Sequence, residues 1–569
     1  MLSGMTDENV GAPSRPQTDI DRIAEDYVHR SAALNPEINV TVGLEGDKAG
    51  YGDYSPAGRR QATDLARDVL GKLEHAEPAD DIDWVTKTDL ARELQLEIDI
   101  EAAGWGDRDL NNLASPASGI RDIFDLMPTA AEEDWDDIAQ RMRNVPDAFD
   151  GYIASLRAGI ENGNTPAARQ IDNVLAQFED YGPGVGFFHD FAAGAKAGDT
   201  DLPESLRRDL AKAAGEATEA HERFATFLRD ELAASANPVD AVGREFYSLM
   251  SRRFLGADVD LDETYAWGIE ELDRMRSEQE AIAQEIKPGA TVQEAIEHLD
   301  GDESRKLHGT DALKAWMQRT SDQAVEELGR THFDIAEPIK ALECMIAPTE
   351  TGGIYYTGPA DDFSRPGRMW WSVPKGVTEF DTWRELTTVY HEGVPGHHLQ
   401  IAQQTYNRGE LNLWRRAFAG TSGHAEGWAL YAERLMESLG YLDDPADRLG
   451  MLDGQRMRAA RVVLDIGVHL GKPRLDGTGE WDFDYAFDFL RQNVNMNEPF
   501  VRFEVNRYFG WPGQAPSYKI GQRIFEQIRD AAQDAEGDAF DLKRFHMRVL
   551  NIGGVGLDTL RQAVLRGGA

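Results

Sequence analysis

The sequence predicts a mainly α-helical protein of long helices, with a small β-hairpin or sheet beside an active-site helix and a central cleft. Three observations carry that expectation. Of 569 residues, 41% are hydrophobic and 9% aromatic, enough to bury a large core. From Asp19 to about Leu328, apolar residues recur at three- and four-residue intervals within charged segments, as in Leu206 to Leu232 and Leu261 to Ile286. Between Gly352 and Pro374 the texture changes to short aromatic runs of β-forming residues.

Residues 1–18 are polar and contain prolines, and read as a flexible N-terminal tail. Residues 19–335 read as a helical subdomain forming one wall of the cleft. Its helices break at Asn164-Thr165-Pro166, Tyr181-Gly182-Pro183-Gly184, Asn237-Pro238 and Lys287-Pro288-Gly289. No fixed-period repeat is present, so a solenoid is not expected. Residues 336–569 read as a catalytic subdomain. It opens with a hairpin whose strands are Gly353-Ile354-Tyr355-Tyr356 and Arg368-Met369-Trp370-Trp371-Ser372-Val373, joined through a polar turn at Asp361-Asp362. A helix is expected from about Glu379, with Thr378 and Asp381 as an approximate capping box and Phe380, Trp383, Leu386 and Tyr390 as its buried stripe. That helix runs straight into His391.

Charge narrows the function classes. The 59 basic residues face 101 acidic ones, a net −42, which repels phosphate backbones and anionic lipid and so argues against nucleic-acid or membrane partners. Only 13 of the basic residues are Lys against 46 Arg. An acidic, Lys-poor surface suits a salt-rich cytoplasm, where counterions screen self-repulsion. The first residues show neither a basic start nor an apolar signal region, and no run approaches the roughly 18 apolar residues that span a bilayer. A soluble cytoplasmic protein is expected. Cys344 is the only cysteine, which excludes an intramolecular disulfide and a multi-cysteine zinc site; its apolar neighbours predict a buried structural thiol. The glycine-rich stretch from Tyr181 to Phe188 lacks the lysine and spacing of a phosphate loop.

The chemistry concentrates in His391-Glu392-Gly393-Val394-Pro395-Gly396-His397-His398. A zinc hydrolase needs imidazoles and a carboxylate around the ion, plus a base beside the attacking water. His391 followed by Glu392 supplies a ligand and such a base. On an unbroken helix His397, six places on, would rise about 9 Å and rotate about 240°, and His398 would rise about 10 Å. Neither could share an ion with His391. Pro395 lacks an amide hydrogen and Gly396 tolerates unusual dihedrals, so the intervening turn can bulge and return a later histidine. His397 is favoured, with His398 as the fallback. Glu426, in Gly423-His424-Ala425-Glu426-Gly427-Trp428, is the candidate third ligand, and Glu433, seven places on, could orient a ligand. Tyr508 and Tyr518 are candidate donors to a developing oxyanion, though each could equally be a tyrosine with a satisfied hydroxyl. Arg365 and Arg507 could hold a peptide carboxylate, but structural ion pairs are the commoner role.

The two motifs His-Glu-x-x-Pro-Gly-His-His-x-Gln and Glu-Gly-Trp-Ala-x-Tyr-x-Glu together resemble the family named domain of unknown function 885. So do Gly353 to Tyr356 with Ser364-Arg365-Pro366-Gly367, Arg507-Tyr508 with Pro512 to Gly521, and the stretch from Phe545 to Gly556. That family is itself similar to gluzincin zinc peptidases, whose third ligand is a glutamate. The resemblance implies that the first histidine after Pro-Gly, here His397, binds the metal.

The expected function is a zinc-dependent hydrolase with one ion on His391, His397 and Glu426, Glu392 as general base, and short peptides as substrates. Two other readings share the motif: a hydrolase of non-peptide amides or esters, and an inactive helical peptide-binding protein.

Overall fold

Helix starts carry side chains that satisfy amides the helix itself leaves unpaired. In the computed structural model, which describes residues 15–178, 184–349 and 353–566, Asp260 accepts from the amides of Asp262 and Glu263, and Thr421 accepts from His424. Asp444, followed by proline at the first helical position, caps another start. The long helices before the sheet are α1 (Asp81–Ala102), α2 (Glu132–Asn162), α3 (Glu204–Phe227), α4 (Leu261–Ile286) and α5 (Thr310–Thr331). After it come α6 (Thr382–Glu392), α7 (His397–Tyr406), α8 (Ser422–Ser438), α9 (Pro445–His469), α10 (Glu498–Gly510) and α11 (Ser517–Glu536), with shorter helices between. The protein is mainly helical with a few small sheets.

The periodic segment Leu261–Ile286 forms a helix with both expected ends, and the segment from Leu206 to Leu232 is α3 plus one π turn, Leu228–Leu232. Residues 1–14 of the expected tail and the expected break at Tyr181-Gly182-Pro183 lie outside the described residues. Arg15 is anchored: its guanidinium meets Asp21 and Asp83, each at 2.9 Å.

One core gathers residues between Leu110 and Leu232, with Phe149 stacked on Phe224. A larger core runs from Val85 to Val564 and lies under the motif helices, through Trp383, Tyr390 and Trp428. It mixes residues from both sides of position 335, and Asp89 of α1 accepts from the Gly556 amide at 3.0 Å and the Thr559 hydroxyl at 2.8 Å. α9 packs against α4 and α6, while α8 packs against α11. Residues such as Val462, Leu464 and Ile466 are fully buried on α9, each worth about 1.5–3 kcal/mol of transfer.

The expected hairpin forms. β3 (Ile354–Thr357) pairs antiparallel with β4 (Gly367–Trp371), and β2 (Leu342–Ile346) joins β4 in parallel, giving the order β2-β4-β3. The start of the next helix is corrected. Residues Glu379–Asp381 form a strand, β5, paired with β1 (Lys306–His308), so α6 begins at Thr382. Asp381 caps it with no side-chain bond, and Phe380 is buried from the strand rather than the helix. A ladder partner 71–75 residues upstream outcompetes the capping pattern. Cys344 is buried in β2 beside the Ser321 hydroxyl, and burial pushes its thiol up to about 11. Among the described residues no helix is long and apolar enough to cross a membrane.

Candidate metal centre

The motif interrupts one helix and starts another. α6 ends at Glu392, and α7 begins at His397. Between them Gly393 (φ −95°, ψ −127°) and Gly396 (φ −74°, ψ −132°) take dihedrals that are neither helical nor extended, and the Val394–Pro395 bond is cis. The Gly396 amide donates to Tyr390 O at 3.1 Å, and the Trp428 indole donates to Pro395 O at 2.8 Å, tying the turn to α8. A Cβ on Gly396 would sit 1.9 Å from the His391 carbonyl oxygen, so only glycine fits. The expected bulge is therefore a full break between two helices. It brings the His391 and His397 rings to 4.8 Å between centroids, nearly perpendicular.

Glu426 reaches the pair from α8. Its Oε2 lies 3.3 Å from His391 Nε2 and 3.6 Å from His397 Nε2. These distances exceed the roughly 2.7–2.9 Å of a charge-assisted hydrogen bond. They match the roughly 3.3–3.6 Å between ligand atoms around a tetrahedral zinc with bonds of about 2.0–2.2 Å. Glu392 joins the cluster, with ligand atoms of His391, Glu392 and His397 all within 4.8 Å of one another. The donor set thus fits a small divalent cation. Its electrostatics say the same. Burial opposes protonation of His391, yet the carboxylates of Glu426 and Glu433 lift its imidazole to about 10, and the two histidines hold Glu426 well below the usual carboxylate range despite burial. Such a cluster favours positive charge.

Behind the ligands stands a support chain. His391 Nδ1 meets Glu433 Oε1 at 2.8 Å, a true hydrogen bond that leaves Nε2 facing the cluster. Glu433 Oε2 accepts from Gln455 of α9 at 2.9 Å, and Lys519 of α11 donates to Gln455 at 2.8 Å. Burial pushes the Lys519 ammonium down to about 8, while it pairs with Glu271 at 3.1 Å. The expected orienting role of Glu433 has its geometry. Gln455 and Lys519 were not legible in the sequence, since their pairing depends on how α8, α9 and α11 pack. The buried His397 Nδ1 and Glu392 Oε2 have no hydrogen-bond partner among the described residues.

The remaining candidates separate. His398, the fallback ligand, points away: its Nδ1 accepts from the Tyr356 hydroxyl at 2.9 Å and its Nε2 donates to Ile339 O at 2.7 Å. Burial holds it neutral, pushing it down to about 4. His424 is bonded to Val555 O at 2.8 Å and takes no part. Tyr508 is engaged elsewhere. Its hydroxyl donates to Glu504 and accepts from Arg461 at 2.8 Å in a fully buried network, so it has no proton to offer an oxyanion. Tyr518, in the first turn of α11, lies within electrostatic reach of Glu426; burial and that charge raise its phenol, and its hydroxyl has no hydrogen-bond partner among the described residues. α8 and α11 approach closely because a Cβ on Gly427 would meet the Gly521 carbonyl carbon at 2.5 Å. Arg365 is spent on Pro366 O and Gly358 O, and Arg507 on Glu504 and Gln514.

His391, Glu392 and Glu433 line a cavity of about 560 Å³, walled by one face of α9 and rimmed by β3 and α10.

Solved structures share this fold. A "putative lipoprotein from Colwellia psychrerythraea" superposes with a TM-score of 0.80 at 21% identity, over 97% of this chain and 99% of that one. A "putative lipoprotein of unknown function from Shewanella oneidensis" gives 0.75 at 17% identity, over 96% and 100%. A comparison with curated proteins yields no match. The family model described as bacterial protein of unknown function, DUF885, matches residues 36–564, and the chain belongs to that family.

Proposed function

We propose that the protein is a zinc-dependent peptidase acting on short peptides, with His391, His397 and Glu426 holding one ion. The observation that carries this reading is the convergence of two imidazole Nε2 atoms on one Glu426 oxygen at distances suited to a shared cation. A zinc ion bound there would supply Lewis acidity and make water nucleophilic near neutral pH. Glu392, adjacent to a ligand on the cavity wall and with one buried carboxylate oxygen unpartnered, would accept the water proton and pass it to the leaving amine. Tyr518 would donate to the carbonyl oxygen as it gains charge. Glu433 would hold His391 in the tautomer that leaves Nε2 free.

Peptide rather than other amide substrates is favoured by β3. It is the edge strand of its sheet, and Gly353 and Ile354 line the cavity. An extended backbone can pair with such an edge. The test is Glu392→Gln in zinc-loaded protein. Zinc content should persist while kcat on a peptide library falls by about 10²–10⁴-fold; equal turnover in both forms would reject Glu392 as the base.

A cytoplasmic, salt-rich setting belongs to the same proposal and rests on composition, 101 acidic residues against 46 Arg and 13 Lys. The thermal midpoint should fall when molar salt is exchanged for dilute buffer, as screening of like charges is lost. Undiminished stability at low salt would contradict it.

A further inference from the structure

We propose that the cavity beside the metal centre is a carboxylate-binding subsite: Arg458 receives a free carboxylate of the substrate, and an adjoining apolar side chain packs on Met496, Phe500 and Phe503. The inference rests on the peptidase reading and narrows its substrate class.

Charge pairing singles out Arg458. In this acidic protein the neighbouring arginines are committed: Arg384 to Asp300 at 2.8 Å, Arg461 to Glu504 at 2.9 Å, and Arg507 to Glu504 at 3.1 Å. Among the described residues Arg458 donates only to its own helix, from Nη1 to Gly454 O at 3.1 Å. Its buried Nε has no hydrogen-bond partner, and no carboxylate among the described residues forms an ion pair with it. Asp453, the acid on the same face of α9, accepts from Asn495 at 2.6 Å. A guanidinium with free donors matches a carboxylate's two oxygens.

Its placement matches a substrate on the metal. Residues 450, 453, 454, 457, 458 and 461 line the cavity as one face of α9. Gln455, three residues before Arg458, holds Glu433, which holds His391. At about 1.5 Å rise per residue, Arg458 stands only about 4.5 Å further along the helix. That offset is of the order of one or two residues of extended peptide, about 3.3 Å each.

The rim supplies the apolar half. Met496, Phe500 and Phe503 are exposed by 41%, 38% and 43%, and the two rings lie 6.3 Å apart. Scattered exposed apolar residues need no explanation, but three lining the same cavity as an arginine make a recognition surface.

The experiment is calorimetric titration of zinc-loaded, full-length Glu392→Gln protein, which binds without turnover. One pair of probes is Gly-Phe against Gly-Phe-amide, the other Gly-Glu-amide against Gly-Gln-amide. We expect the free carboxylate of one pair to bind at least about tenfold tighter than its neutral counterpart. Adding Arg458→Gln should collapse that ratio to near one, and Arg458→Lys, which keeps charge but not the paired donors, should leave an intermediate ratio. Discrimination in the first pair assigns the terminal carboxylate, in the second a side-chain carboxylate. No discrimination in either pair, or discrimination that survives Arg458→Gln, overturns the proposal. Arg458-dependent binding in a protein whose zinc-loaded parent hydrolyses none of these peptides would leave the subsite standing and remove the peptidase reading.

Discussion

Around Tyr508 the buried charges close on one another: the phenol donates to Glu504, Arg461 pairs with that same carboxylate, and Arg507 holds its other oxygen. Around Glu426 they do not close. Two imidazole Nε2 atoms lie 3.3 and 3.6 Å from one Glu426 oxygen, with acceptors facing acceptors unless a proton or cation intervenes. Both clusters are polar and helix-borne, the first more deeply buried than the second, whose Glu426 side chain is 22% exposed. The difference lies in the balance of donors and lone pairs, and it separates a closed structural network from the cluster for which we propose a metal.

The adjacent histidines break this comparison most sharply. His397→Ala should abolish zinc binding and lower hydrolysis by at least about 10³-fold, the loss of several kcal/mol of transition-state stabilisation. His398→Ala should retain zinc and instead lower stability by about 1–3 kcal/mol for each buried partner left unpaired, read by denaturant unfolding. The same split, exchanged between the two variants, would show that the fallback ligand is the true one.

The two tyrosines sharpen it at smaller amplitude. Tyr518→Phe should reduce kcat by about 10²–10³-fold with little change in KM, as for loss of one oxyanion donor. Tyr508→Phe removes hydrogen bonds to Glu504 and Arg461 and should cost about 1.5–3 kcal/mol of stability while kcat holds. A kcat loss confined to Tyr508→Phe would reverse the assignment.

Much of the architecture was legible because local patterns carried it. The three- and four-residue periodicity marks Leu261–Ile286 to the residue, and the aromatic runs mark β3 and β4. What local pattern could not supply was the competition between partners far apart in sequence. Glu379–Asp381 looks like a helix start, yet Lys306–His308 captures it as a strand. At the site, spacing alone required a break between His391 and His397, and Pro395-Gly396 marked where. The preference for His397 over His398 came from the turn and from the family resemblance; its geometric reason, that Tyr356 and Ile339 engage His398, lies in residues far off in sequence. Tyr508 and Tyr518 were both candidates in the sequence, with only the Pro-Gly loop before Tyr518 to set them apart; Arg461, 47 residues from Tyr508, claims one hydroxyl, and the other has no hydrogen-bond partner among the described residues. Arg458 gave no signal, since its distinction is a spatial one: its charge reaches Glu433 and Asp453, but among the described residues no carboxylate closes an ion pair with it as happens for its neighbours.

The most direct test of the shared-cation claim is elemental analysis of protein purified in high salt, comparing the parent chain with Glu426→Ala after each is shown to be folded by circular dichroism. The account predicts about one zinc per parent chain and less than about a tenth of that in the variant, because three protein ligands are needed to retain the ion. Equal zinc in both proteins, or none in the parent after exposure to zinc, would contradict it.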